Sequence, residues 1–151
     1  MKLAEALQER ADLNRKIQQL RNRLSNNVLT QEGEKPTEDP NELLKELDSS
    51  LKRLQLLISR INLTNCSTVI EGRSLTEIIS QRDVLVLQID SYRNVADLAS
   101  RTTDRARHSE IKIVSAIDVP AMQKKIDKLS KELRKLDNLL QESNWTVDLS
   151  E

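Results

Sequence analysis

The segment that decides the fold is residues 39–61, DPNELLKELDSSLKRLQLLISRI. Leucine and isoleucine recur in it at alternating spacings of three and four, which places them along one face of an α-helix. The row comprises Leu44, Leu47, Leu51, Leu54, Ile58 and Ile61. Asp39 and Pro40 supply a helix cap and a first-turn proline, and Glu42 stands at capping-box spacing. The segment therefore predicts a helix that begins at residue 40 and buries one apolar face.

The same periodicity predicts three further helices. The first ends near Thr30, and its row is Leu3, Ala6, Arg10, Leu13, Ile17, Leu20, Leu24 and Asn27. The third begins at Ser74, which stands at capping-box spacing from Glu77. Its row is Leu75, Ile78, Arg82, Leu85, Ile89, Tyr92, Ala96 and Ala99. The fourth opens at Asp118 and Pro120, and its row is Met122, Ile126, Leu129, Leu133, Leu136 and Leu140.

Three shorter segments depart from this pattern. Residues 66–73 contain Gly72 after a β-branched pair and predict a turn or a small hairpin. Residues 110–117 are rich in β-branched side chains and partly alternate, which predicts a short strand. The run from Val84 to Leu87 is apolar on every side, so we expect the third helix to be buried on more than one face.

The two halves of the chain resemble each other. The first helix aligns with the third so that Arg10 matches Arg82, and the second aligns with the fourth so that Asn62 matches Asn144. These matches indicate two pseudo-repeated helical hairpins, about 1–65 and 74–146, within a single helical domain spanning 1–151. The alternative is that any two heptad helices can be aligned in this way.

The predicted fold class is all-α. Short connections make successive helices antiparallel neighbours. We therefore expect an antiparallel up-down four-helix bundle, built from long helical hairpins in tandem, with a short β segment near residues 110–117.

Composition restricts the function classes. Lys+Arg and Asp+Glu each number 24, so no net charge attracts nucleic acid or an anionic membrane. The aromatic residues are Tyr92 and Trp145, too few for a base-stacking platform. There is no long apolar run and there is a single cysteine, Cys66, which predicts a cytoplasmic protein without nucleic-acid or membrane partners.

Several apolar side chains lie off the main rows. They are Leu56, Leu57, Val84, Leu87 and Leu139. A four-helix core does not need this additional apolar surface, so we expect a homo-oligomer, with a dimer favoured.

The long connector before the fourth helix holds the densest polar cluster. Its candidate binding residues are Arg105, Arg107, His108, Glu110 and Lys112. They could hold a phosphate or another acidic partner, since binding residues often lie in loops. A solvated basic loop is the alternative, because no glycine-rich cradle accompanies them.

Arg10 and Arg82 lie on apolar rows, where a guanidinium needs a partner. They could bind an anion inside the bundle. Alternatively, they pair with nearby acids and fix the register of the helices. The acids within reach along the sequence are Glu9, Asp12, Glu77 and Asp83.

No catalytic residue, metal site or cofactor is predicted. His108 is the only histidine, which excludes the histidine-based metal motifs of helical bundles. Cys66 has no sequence-adjacent base and is expected to be inert. The paired acids of a magnesium-dependent hydrolase could come from two clusters, which are Glu5 with Glu9 and Asp12, and Glu42 with Glu46.

Several motifs together resemble a known family. They are the run 31–40, Ile61-Asn62-Leu63-Thr64-Asn65, Leu75-Thr76-Glu77, Arg82-Asp83, Ser109-Glu110-Ile111-Lys112 and Asn144-Trp145-Thr146. Over nearly the whole chain they resemble the small bacterial helical proteins labelled septicolysin. That label implies a cytolytic toxin. Where related members tend to have an aromatic residue and an arginine before Ser-Glu-Ile-Lys, this chain has Ala106 and His108.

Three functional hypotheses follow. The first is a non-enzymatic structural or interaction protein that self-associates. The second, implied by the family label, is a membrane-active cytolysin-like protein. The third is a metal-dependent phosphate-ester hydrolase.

Overall fold

The computed structural model of the chain describes residues 1–102 and 110–151. The helices are α1 (Leu3–Asn27), α2 (Pro40–Ser67), α3 (Leu75–Ala99) and α4 (Val119–Thr146), and the strands are β1 (Val69–Ile70) and β2 (Arg73–Ser74). The predicted all-α fold class, with four helices and a short β element, is confirmed. None of the helices formed by the described residues combines the length and the apolar character needed to cross a membrane.

The described chain forms two compact units. The first comprises residues 1–69 and 143–151, and the second comprises residues 70–142. The first unit holds α1 and α2, and the second holds α3 and most of α4.

In the first unit, α1 and α2 form an antiparallel hairpin. Glu9 of α1 accepts two hydrogen bonds from Arg53 of α2. About two turns further along α1, Lys16 lies 2.8 Å from Glu46. Residue numbers therefore rise along one helix as they fall along the other. Near the loop, the helices share an apolar cluster of Leu20, Leu24, Leu43 and Leu47.

The buried face of α2 differs from the predicted one by one residue. Leu43, Ser50, Leu57, Ile61 and Thr64 are buried. Leu44, Leu51 and Ile58 were expected in the core but are 46%, 44% and 41% exposed. The physical reason is that apolar residues are adjacent at 43/44 and 57/58, so two neighbouring rows satisfy the same periodicity. Packing against α1 selects the row that begins at Leu43.

Local signals at the start of α2 are largely confirmed. Asp39 caps the helix by accepting a hydrogen bond from the Asn41 amide at 2.9 Å, and Pro40 is the first helical residue. The predicted capping box does not form, because the Glu42 carboxylate accepts a hydrogen bond from Lys45 instead.

The chain ends of the first unit are joined by backbone hydrogen bonds. The Leu3 amide donates to the Val147 carbonyl at 3.0 Å, and the Leu149 amide donates to the Met1 carbonyl at 2.9 Å. The Ser150 amide donates to Oγ1 of buried Thr64 on α2. The C-terminal residues are thus part of this unit's structure.

The β hairpin precedes α3. Glu71 and Gly72 form its turn with positive φ angles of 51° and 79°, the conformation that a two-residue hairpin turn needs. The predicted turn or small hairpin within residues 66–73 is confirmed. Ser74 and Glu77 form the predicted capping box, which begins α3. The strand predicted at 110–117 is wrong, since in this described stretch only Lys112 takes part in a β-bridge.

In the second unit, α3 and α4 run antiparallel. Nε of Arg82 on α3 lies 2.8 Å from Asp137 on α4, and Nζ of Lys125 on α4 lies 4.9 Å from the centre of the Tyr92 ring on α3. The predicted α3 row is buried at Leu75, Ile78, Leu85, Ile89 and Ala96.

The expectation that α3 is buried on more than one face is wrong for the described chain. Val84 and Leu87, which lie on the side of α3 away from Leu85 and Ile89, are 65% and 66% exposed.

Candidate functional site

The predicted connector site is only partly visible. Arg105, Arg107 and His108 lie outside the described residues. Glu110 and Lys112 are exposed, and neither forms an ion pair with a residue that the structure describes. These two side chains therefore define no binding geometry.

Arg82 is engaged in a double ion pair. It contacts Asp137 at 2.8 Å and Asp83 at 3.2 Å. The hydrogen bond to Asp137 raises the pKa of the Arg82 guanidinium, with Asp83 as the next contributor. The predicted pairing with Asp83 is confirmed. The main partner, Asp137, is 55 residues away along the chain and could not be chosen from the sequence.

Arg10 is half-buried, and the structure gives it no ion pair with any described residue. The predicted pairing with Glu9 or Asp12 is wrong, because Arg53 takes the Glu9 carboxylate and Arg15 takes that of Asp12. Arg10 and Arg82 match in the sequence alignment but differ in their contacts.

The ion pair between Glu9 and Arg53 connects α1 to α2 by two hydrogen bonds of 2.6 and 2.8 Å. The hydrogen bond from Arg53 lowers the pKa of Glu9 below its ordinary value of 4.5, against a smaller opposing effect of burial. A carboxyl group with a lowered folded-state pKa stabilises the fold above its unfolded-state pKa and loses that contribution as the pH falls through the folded-state pKa.

We therefore predict a stability change in acid that depends on Glu9. Between about pH 7 and about pH 3, unfolding by urea should show a larger loss of stability in the wild type than in Glu9→Gln, which cannot titrate at this position. Circular dichroism would follow the loss of helix content during unfolding. Arg53→Gln is the matched variant, and it should flatten the acid profile in the same way. Equal acid sensitivity in all three proteins would contradict the assignment.

The carboxylates considered for a hydrolase are held by contacts with backbone amides or basic side chains. Glu5 accepts a hydrogen bond from the Lys2 amide at 2.7 Å, Glu46 pairs with Lys16 at 2.8 Å, and Glu42 pairs with Lys45 at 2.7 Å. Among residues 1–102 and 110–151, no group of three or more His, Cys, Asp or Glu side chains could hold a metal ion.

An open groove of about 530 Å³ lies in the second unit. It is lined by Glu71, Arg73, Gln81, Glu132, Lys135, Leu136, Asn138, Leu139 and Glu142. Arg73 donates a hydrogen bond to Gln81 and lies 3.6 Å from Glu71. These residues come from the hairpin, α3 and α4, so no local motif could have identified them. Acidic and basic side chains both line the groove, so its charge favours neither a cationic nor an anionic ligand.

The first unit has a regularly spaced apolar surface on α2. It consists of Leu44, Leu51 and Ile58, and we call it the α2 row. The three side chains are one heptad apart and remain partly exposed beside the core. Asp48 and Lys52 border this row on its solvent side. Both are exposed, and neither forms an ion pair within the described part of the chain.

A second apolar surface lies on α3, and we call it the α3 outer row. It consists of Val84, Leu87, Val95 and Leu98, all exposed. Near its C-terminal end, Val95 and Leu98 line an open groove of about 320 Å³ together with Ile113, Val114 and Ile117.

The off-row apolar residues predicted from the sequence thus separate into two groups. Leu56, Val84 and Leu87 are exposed, as expected for additional apolar surface. Leu57 is a core residue, 1% exposed, and Leu139 is half-buried in the second unit.

The fold and these surfaces define an all-α protein built from helical hairpins, with apolar rows on its outer helix faces. Residues 10–149 match the model of a family of unknown function, DUF6847, and the chain belongs to this family. Its structure is similar to the crystal structure of a functionally unknown conserved protein from Corynebacterium diphtheriae. The two are 38% identical, the match covers 99% of each chain, and the TM-score is 0.89. No curated protein matches the chain. The resemblance to septicolysin-labelled proteins stays a prediction.

Proposed function

We propose that this chain is a non-enzymatic helical interaction protein that associates with a second copy of itself through the α2 row. The observation that carries the proposal is the partial exposure of Leu44, Leu51 and Ile58 at heptad spacing. Aliphatic side chains at heptad spacing supply one of the two positions, a and d, that together form the seam between helices in a coiled coil.

Burial of the α2 row supplies a large part of the free energy that a micromolar dimer requires. Full burial of one leucine or isoleucine contributes about 1.5 to 3 kcal/mol, so covering the exposed part of six such side chains contributes roughly 4 to 8 kcal/mol. A micromolar dissociation constant corresponds to about 8 kcal/mol. Polar contacts at the edge of the row would add to this amount, and the loss of rotational and translational freedom would reduce it.

The chemistry of the remaining groups is consistent with a non-enzymatic role. The carboxylates of Glu9, Glu46 and Glu42 each contact a basic side chain that holds a helix or joins two helices. A cytoplasmic location is part of the proposal, in keeping with a sequence that has a single cysteine.

Sedimentation equilibrium of the wild-type chain tests self-association. Between about 1 and about 200 μM, a range that brackets micromolar association, we expect the mass to rise from 17.3 kDa toward twice that value. Size-exclusion chromatography with light scattering would provide an independent mass. A monomer mass at every concentration would overturn the proposal.

A further inference from the structure

The α2 row is symmetric about its central residue. Leu44 stands seven residues before Leu51, and Ile58 stands seven residues after it. At 1.5 Å per residue, each outer side chain is about 10.5 Å from the centre along the helix axis. A second α2 helix running in the opposite direction would therefore place Leu51 on Leu51 and Leu44 on Ile58 at both ends.

Two charged residues border the row close to its centre. Asp48 and Lys52 lie on the solvent side of the row and are four residues apart, on either side of Leu51. In an antiparallel pair centred on Leu51, Asp48 of one copy is within about 3 Å, along the axis, of Lys52 of the second copy. The neutral Gln55 of the second copy lies even closer along the axis, and its amide can donate to the Asp48 carboxylate. Each Asp48 thus faces complementary groups, while the two Lys52 side chains are themselves about 3 Å apart along the axis and depend on the two Asp48 carboxylates for compensation.

A parallel pair lacks this complementarity. It would place the polar edge of one α2 helix, with Asp48 and Lys52, against the opposite edge of the other helix, which carries Leu47 and Leu54. Those two leucines are half-buried beside α1. Charged side chains packed there would lose water without gaining a partner.

We infer that two copies of the chain pair through antiparallel α2 helices, with the twofold axis at Leu51 and reciprocal contacts between Asp48 and Lys52. This inference rests on the proposed self-association and adds its surface symmetry, orientation and register. An isologous contact of this kind closes after two copies, so it accounts for a dimer and not for an open fibre.

Cysteine cross-linking tests the register. In a Cys66→Ser background, Leu51→Cys should form a symmetric disulfide under mild oxidation, because the two residues meet at the axis. Leu44→Cys is the matched control, since Leu44 belongs to the same row and is equally exposed. Its two copies would be about 21 Å apart along the axis, too far for a disulfide. A mixture of Leu44→Cys and Ile58→Cys proteins should cross-link to each other.

The results separate failure of the register from failure of self-association. A wild-type dimer in which Leu44→Cys cross-links to itself, or Leu51→Cys does not, would overturn the antiparallel register and leave self-association standing. A monomeric wild type would overturn both.

The charge contacts have their own test: Asp48→Lys should weaken the dimer about 2- to 30-fold, and adding Lys52→Asp should restore it. No recovery in the double variant would overturn the reciprocal contact.

Discussion

Leu57→Ala is expected to lower the free energy of unfolding by about 2 to 5 kcal/mol, whereas Leu56→Ala, one position earlier, should cost less than about 1 kcal/mol. Leu57 is among the most completely buried side chains of the protein, and Leu56 is 42% exposed. Removing the buried Leu57 side chain leaves a cavity in the core in addition to the lost transfer free energy. Removing the Leu56 side chain leaves a gap at the protein surface, which water can fill.

Urea denaturation followed by circular dichroism would measure both values. The two variants remove the same atoms from neighbouring positions of one helix, so helix propensity is the same for both. If Leu56→Ala cost as much as Leu57→Ala, the buried face of α2 described above would be wrong. The Leu57→Ala protein should remain helical in the absence of urea if the wild type is more stable than the predicted loss.

Leu51→Asp is expected to abolish the dimer while leaving the monomer folded. At the proposed axis, the substitution places two carboxylates against each other in a surface that dimerisation would remove from water. Desolvation and repulsion each cost several kcal/mol, so the dissociation constant should rise by at least about 100-fold. The monomer should tolerate the change, since Leu51 is already almost half exposed.

Leu87→Asp is the matched control for this prediction. Leu87 lies on the α3 outer row and is more exposed than Leu51. If self-association depended only on exposed apolar area, Leu87→Asp would have the larger effect. Sedimentation equilibrium of both variants decides between the rows, and loss of the dimer only in Leu87→Asp would move the interface to α3.

The residues of the candidate interface could be predicted from the sequence only in part. The residues of the α2 row were identified from their spacing, but as core residues. Their assignment to the surface required knowing where α1 lies. The opposite error concerned Leu57, which was counted as additional surface and is in the core. Both errors come from the same one-residue ambiguity on α2, where Leu43 and Leu57 stand beside apolar neighbours.

The partners in ion pairs between helices could also not be predicted from the sequence. Arg53 and Glu9 are 44 residues apart, and each had closer residues of opposite charge along the chain. Sequence proximity therefore suggested the wrong partner for Arg10. Contacts within one turn, such as that between Ser74 and Glu77, were predicted because both residues belong to the same local backbone motif.

The four helices, their approximate ends and the hairpin before α3 follow from short sequence patterns, because caps, turn residues and apolar periodicity act over a few residues. Packing between α1 and α2 selects which of two adjacent apolar rows on α2 is buried and which stays at the surface. The reason is that a rotation of α2 by one residue, about 100°, preserves the periodicity and changes every long-range contact. The surface proposed to bind a second copy is the row that packing against α1 left uncovered.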